Sequence, residues 1–140
     1  MDQKIIRKRC RRRLNRTGTT AVEFAIVAPV FFLFIIAAVD FGRLNIIRHT
    51  ADNAAYEAAR HAMVPGATAA EAVAKANTIL STVGTVGSKV TVNPAVIDVD
   101  TDEIVVTIDV PMNLNGWITP HFSQNKTISR QSRLKTERAQ

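Results

Sequence analysis

Thr19–Val39 reads TTAVEFAIVAPVFFLFIIAAV, 21 residues whose only charge is Glu23. At about 1.5 Å per residue, a helix of that length spans roughly 31 Å, close to the hydrocarbon thickness of a bilayer. Phe24, Phe31, Phe32, Phe34, Leu33, Ile35 and Ile36 leave it no polar face. A helix lying on a soluble core carries one. Burial within a core is the competing explanation, but a chain of 140 residues has too little material to wrap such a helix on every side. The segment therefore reads as a membrane span. Pro29 lies inside it. Proline removes one backbone hydrogen bond, and in lipid neighbouring helices can satisfy the freed carbonyl, so a modest kink is expected.

The flanks give the span a direction. Of the 18 basic residues, eight precede Gly18 (Lys4, Arg7, Lys8, Arg9, Arg11, Arg12, Arg13 and Arg16), with Asp2 the only acid among them. The 20 residues after Val39 carry only Arg43, Arg48 and the acids Asp40, Asp52 and Glu57. Cytoplasmic flanks are the basic ones, which places residues 1–18 in the cytoplasm and the rest of the chain beyond the span outside it. The net charge of +6 is thus a short cationic head on a nearly neutral body, in which ten basic residues meet eleven acidic ones. Membrane orientation and anionic headgroups explain such a head better than nucleic acid does. A cleavable secretory signal is the rival, but its apolar region is shorter and ends in a small-x-small site. Here the apolar run passes into Val39-Asp40-Phe41-Gly42-Arg43. The single cysteine, Cys10, sits in the basic head, so no intrachain disulfide can form and any folded domain rests on its core alone.

Between the basic run and the apolar run stands Gly18-Thr19-Thr20-Ala21-Val22-Glu23-Phe24. It resembles the type IV prepilin processing site: a glycine, four residues, a glutamate, then a long apolar helix. With AVEFAIVAP at 21–29 and DFGR at 40–43, residues 16–60 resemble more specifically the TadE-like family, pseudopilin-like minor components of the Tad, or Flp, pilus assembly and secretion system. The resemblance implies a bacterial inner-membrane protein, cut between Gly18 and Thr19 by a membrane prepilin peptidase and assembled with other Tad pilins through its helix. A small residue before the bond lets the protease approach the backbone. The cut removes the cationic leader and creates an α-amine at Thr19 that is largely protonated at neutral pH. Glu23 lies one helical turn deeper, where a lone carboxylate is costly. Neutralisation by a Thr19 amine, of its own chain or of a neighbour, lowers that cost and sets the register between packed helices; snorkelling of Glu23 to the headgroups is the alternative. Thr19 departs from the Phe or Met common at the mature start of major pilins.

Beyond the span the helical pattern persists through residues 40–64. Leu44, Ile47, Ala51, Ala54/Ala55, Ala58 and Ala62 form one stripe, with Arg48 and Asp52 on the opposite face at i, i+4. One helix is expected from about Thr20 to Met63, stopped by Pro65-Gly66. The small-residue stripe reads as a seam for the domain's own sheet rather than an oligomer face. A second helix is expected over Thr68–Leu80, opened by a Thr68/Glu71 capping box. Strands follow at Lys89–Asn93, Glu103–Met112 and Lys126–Lys135, from alternation of Val90/Val92, of Ile104/Val106/Ile108/Val110/Met112, and of Ile128/Leu134. Trp117, Pro120 and Phe122 are expected to plug the core's end. The fold class is α+β: a long N-terminal helix, half in the membrane, packed on a small antiparallel sheet in the manner of a pilin. The domains are a leader at 1–18, a span at 19–39 and an extracytoplasmic domain at 40–140.

Chemistry-bearing patterns are weak. Asp98, Asp100, Asp102 and Glu103 have Asp-x-Asp-x-Asp spacing, but the glycine of a calcium loop is replaced by Glu103 and its final glutamate by Asp109, so an acidic solvated turn is expected and no metal. His49, His61 and His121 show no ligand spacing, Tyr56 and Glu57 make no defensible acid/base pair, and no phosphate loop or nucleophile elbow occurs. The reading is therefore a non-enzymatic minor pilin or pseudopilin without cofactor, nucleic acid or small-molecule substrate. Its expected partners are the prepilin peptidase, other Tad pilins and the lipid bilayer. Its site residues are Gly18 and Thr19 for processing, Glu23 for register and Pro29 for the kink. An uncleaved single-pass scaffold or binding protein, and an extracytoplasmic enzyme, remain as alternatives.

Overall fold

The computed structural model describes residues 17–98, 101–117 and 125–135. The basic head before Thr17, with Cys10, lies outside them, as do Asp100, Pro120, His121 and Phe122. Helix α1 runs Thr17–Ala62 without a break at Pro29. Helix α2 runs Ala69–Ser81, followed by strands β1 (Lys89–Asn93), β2 (Glu103–Pro111) and β3 (Thr127–Lys135). The chain divides into two compact units between Ile35 and Ile36, so the N-terminal part of α1 and the α+β unit are taken separately.

In the N-terminal unit α1 is apolar and bare. Phe24, Ile26, Phe31, Phe32 and Phe34 are all exposed, and none of the most apolar window of the helix is buried. That disposes of the core-helix explanation, because a core helix hides its apolar surface. Phe31 and Phe32 touch edge-to-face at a centroid distance of 6.2 Å.

In the second unit α1 acquires a buried stripe. Asp40, Leu44, Ile47, Ala51, Ala54, Ala55, Ala58, Ala59 and Ala62 are buried, at helical spacing. The alanines give that face little side-chain bulk. They share one core with Ala72, Ala76 and Leu80 of α2, Val92 of β1 and Ile104, Val106, Ile108 and Val110 of β2. The stripe is thus an intramolecular seam, as expected, with Ala59 and Asp40 as unforeseen members.

Helix α2 opens on Thr68, whose hydroxyl accepts from the Glu71 N–H at 3.3 Å while the Glu71 carboxylate accepts from the Thr68 N–H at 2.9 Å. The reciprocal bonds satisfy two otherwise orphaned donors. The Thr68 backbone N–H, then its side chain, holds the Glu71 carboxyl below its ordinary range.

The sheet is an antiparallel meander in the order β1-β2-β3. Val92 faces Val106 and Val90 faces Ile108, while Ile104 faces Leu134 and Val110 faces Ile128. The β2 strand alternates buried and half-buried residues along its length, whereas β3, at the edge, buries none fully. Glu103–Pro111 is one residue shorter than expected: Met112 instead opens a 3-10 turn, Met112–Leu114, and is only half-buried.

Arg48 and Asp52 are exposed on the face opposite the stripe, as expected, and Asp52 Oδ1 sits 3.3 Å from Nε of Arg130. Arg130 lies opposite Ile108, on the core face of the edge strand, and a guanidinium there needs an acid from the covering helix. Trp117 does not plug the core, being 61% exposed. The buried residue under that connection is Asn115.

Candidate functional site

Gly18, Thr19 and Glu23 occupy the first turns of α1 and all are exposed. A Cβ on Gly18 would meet nothing within 4 Å. Among the described residues no packing demands a glycine there. Glu23 follows Thr19 by four residues, which puts the two on one helix face, one turn apart. Pro29 is exposed and lacks the N–H that would bond the Ala25 carbonyl.

A second cluster, absent from the sequence-based expectations, surrounds the end of the apolar run. Asp40 heads the buried stripe, and its Oδ1 accepts from the Trp117 backbone N–H at 2.8 Å. One turn on, Arg43 Nε donates to the Asn115 carbonyl at 3.1 Å. The Asn115 side chain is in turn satisfied on both ends: Oδ1 accepts from Val86 N–H at 2.9 Å, and Nδ2 donates to the Val86 and Pro111 carbonyls at 2.8 Å each. Asp40 and Arg43 thereby fasten the 115–117 connection onto the helix, and Asn115 fastens it to the α2–β1 loop. Such buried polar groups are tolerable because they are bonded. The DFGR pattern at 40–43 was visible in the sequence; its partners were not, since they come from a distant loop. Phe41, between the two anchors, is 73% exposed. It lines a groove of about 630 Å³ with Leu44, Met112 and Ile128.

The acidic stretch is engaged in local structure. Asp98 N–H donates to Thr101 Oγ1 and Thr101 N–H to the Asp98 carbonyl, both at 2.9 Å, while Glu103 pairs with Arg133 at 3.0 Å. Among the described residues no group of three or more His, Cys, Asp or Glu could hold a metal ion.

Taken together, these features define an α+β unit continuous with a helix long and apolar enough to cross a membrane. Residues 18–60 match the family model described as TadE-like protein, in agreement with the resemblance carried by Gly18, Glu23 and residues 40–43. That match connects the chain, in general terms, to the Tad pilus. The comparisons with curated proteins and with solved structures returned no match.

Proposed function

We propose that the chain is a TadE-like minor pilin or pseudopilin of a Tad (Flp) pilus assembly or secretion system. Its basic head stays in the cytoplasm, α1 crosses the bacterial inner membrane, and the α+β unit lies on the far side. A prepilin peptidase cuts after Gly18, and the shortened helix packs against those of other Tad pilins. The protein performs no catalysis of its own and needs no cofactor.

The observation that carries this reading is the family match beginning at Gly18, on a helix whose most apolar stretch is nowhere buried. An exposed face rich in phenylalanine requires lipid or other helices to cover it. Glu23 gives such a bundle a register, because each carboxylate in lipid seeks a cationic partner and the amine of a cut chain supplies one. The open space around Gly18 supports a role in processing, since folding does not call for the missing side chain.

The test is the mass and N-terminal sequence of the membrane-extracted protein, from cells with and without the peptidase. A start at Thr19 only when the peptidase is present is the expected result. Retention of Met1 in peptidase-positive cells would overturn it in favour of an uncleaved single-pass scaffold.

A further inference from the structure

Trp117 is the only tryptophan in the chain, and it is 61% exposed. Its backbone is nevertheless fixed: the N–H is 2.8 Å from Oδ1 of buried Asp40, and Arg43 holds the preceding segment at the Asn115 carbonyl. Asp40 directly follows Val39, and in the same compact unit Ile36 and Val39 remain exposed on the helix. Asp40 is therefore the first polar residue after the apolar run, about 1.5 Å further along the axis. The polar layer on each side of the hydrocarbon is roughly 5–7 Å thick. A backbone bonded to Asp40 lies within that layer if α1 crosses the bilayer. Tryptophan favours that depth, with its ring against acyl chains and its N–H among headgroups. Phe41, also exposed, sits at the same level on the helix.

We propose that Trp117 and Phe41 form an interfacial anchor embedded in the headgroup layer of the outer leaflet, with Asp40 and Arg43 as positioning residues that hold the 115–117 connection at that depth. The partner is the lipid surface itself. The inference rests on the membrane-crossing part of the proposed function and not on processing.

The single tryptophan makes the test direct. The full chain is reconstituted in phosphatidylcholine vesicles carrying bromines either near the headgroup end or near the methyl end of the acyl chain. Trp117 emission is expected to be quenched more strongly by the shallow bromines and to be shielded from aqueous iodide. Asp40→Ala is expected to weaken the shallow quenching and raise iodide access. Because that variant can lose its fold, a second reporter, Phe41→Trp combined with Trp117→Phe, is expected to show the same shallow depth. Iodide access equal to that of free tryptophan amide, in protein that resists alkaline extraction from the vesicles, would overturn the anchor and leave the span intact. Unchanged quenching in folded Asp40→Ala would overturn the positioning role. Protein washed off by alkali would overturn the anchor together with the membrane-crossing reading. Shallow quenching in a chain that cells leave uncut at Gly18 would sink the pilin assignment and preserve the anchor.

Discussion

Gly87 has a φ of +70°, and a Cβ on it would lie 2.7 Å from Leu114 Cδ1 and 3.3 Å from Pro111 Cγ. The leucine tip can move, so the backbone conformation dominates the penalty. Gly87→Ala is expected to destabilise the α+β unit by about 1–2 kcal/mol, read from urea unfolding in detergent micelles. Asn115 is a sharper case, since three bonds depend on one amide. Asn115→Ala leaves the Val86 N–H and the Val86 and Pro111 carbonyls without their side-chain partner in a part-buried site, and a loss of about 1–3 kcal/mol is expected in the same assay. Glu71 supplies a pH signature. Its carboxyl is held below the ordinary range by Thr68, so its contribution is present above the unfolded carboxylate pKa and disappears as pH falls through the lower folded value. The stability gap between the native chain and Glu71→Ala is accordingly expected at neutral pH and should narrow on acidification; a gap that widens in acid contradicts the capping assignment. The Thr68/Glu71 box was readable because cap and partner are three residues apart. Asn115 was not, because its role is set by loops that meet only in the folded chain.

At the level of elements, periodicity carried most of the information. The α1 stripe, α2 and the β2 alternation were legible because each buried face repeats at the period of its own backbone. The edge strand was harder. Of its core-facing residues, Arg130 and Ser132 are polar, and only their register opposite Ile108 and Val106 reveals the face they occupy. Asp52 was placed by spacing on the outer face of α1, but its pairing with Arg130 of the edge strand was not legible, since it depends on the strand's register. The alanine seam sets a steric limit on α1. Ala58 is fully buried, and Ala58→Leu is expected to cost about 1–3 kcal/mol by overpacking. Ile108→Ala, at the centre of β2, is expected to cost about 2–5 kcal/mol through the cavity left behind. Both are measured by thermal or urea unfolding of the same micellar protein. By contrast Glu103 and Arg133 are partly solvated, and deleting either is expected to shift stability by less than about 1 kcal/mol.

For the molecule as a whole, Gly18 lets the proposed processing be tested apart from folding. Its surroundings are empty, so Gly18→Leu is expected to leave the unfolding transition unchanged while abolishing the mass shift caused by the peptidase. A variant that loses both would mean that the glycine serves the fold. The long apolar helix and the seam were visible in the sequence because each is one continuous stretch of helix. The Asp40–Trp117 bond was not, because it joins residues 77 positions apart. That separation bears on biogenesis. A nascent chain completes its alanine seam well before the residues of the sheet that share its core have been made. The bond between Asp40 and Trp117 can close only after the central strand has been made, so the seam stays uncovered until then, and a pause placed upstream of residue 117 would leave an intermediate vulnerable to proteases.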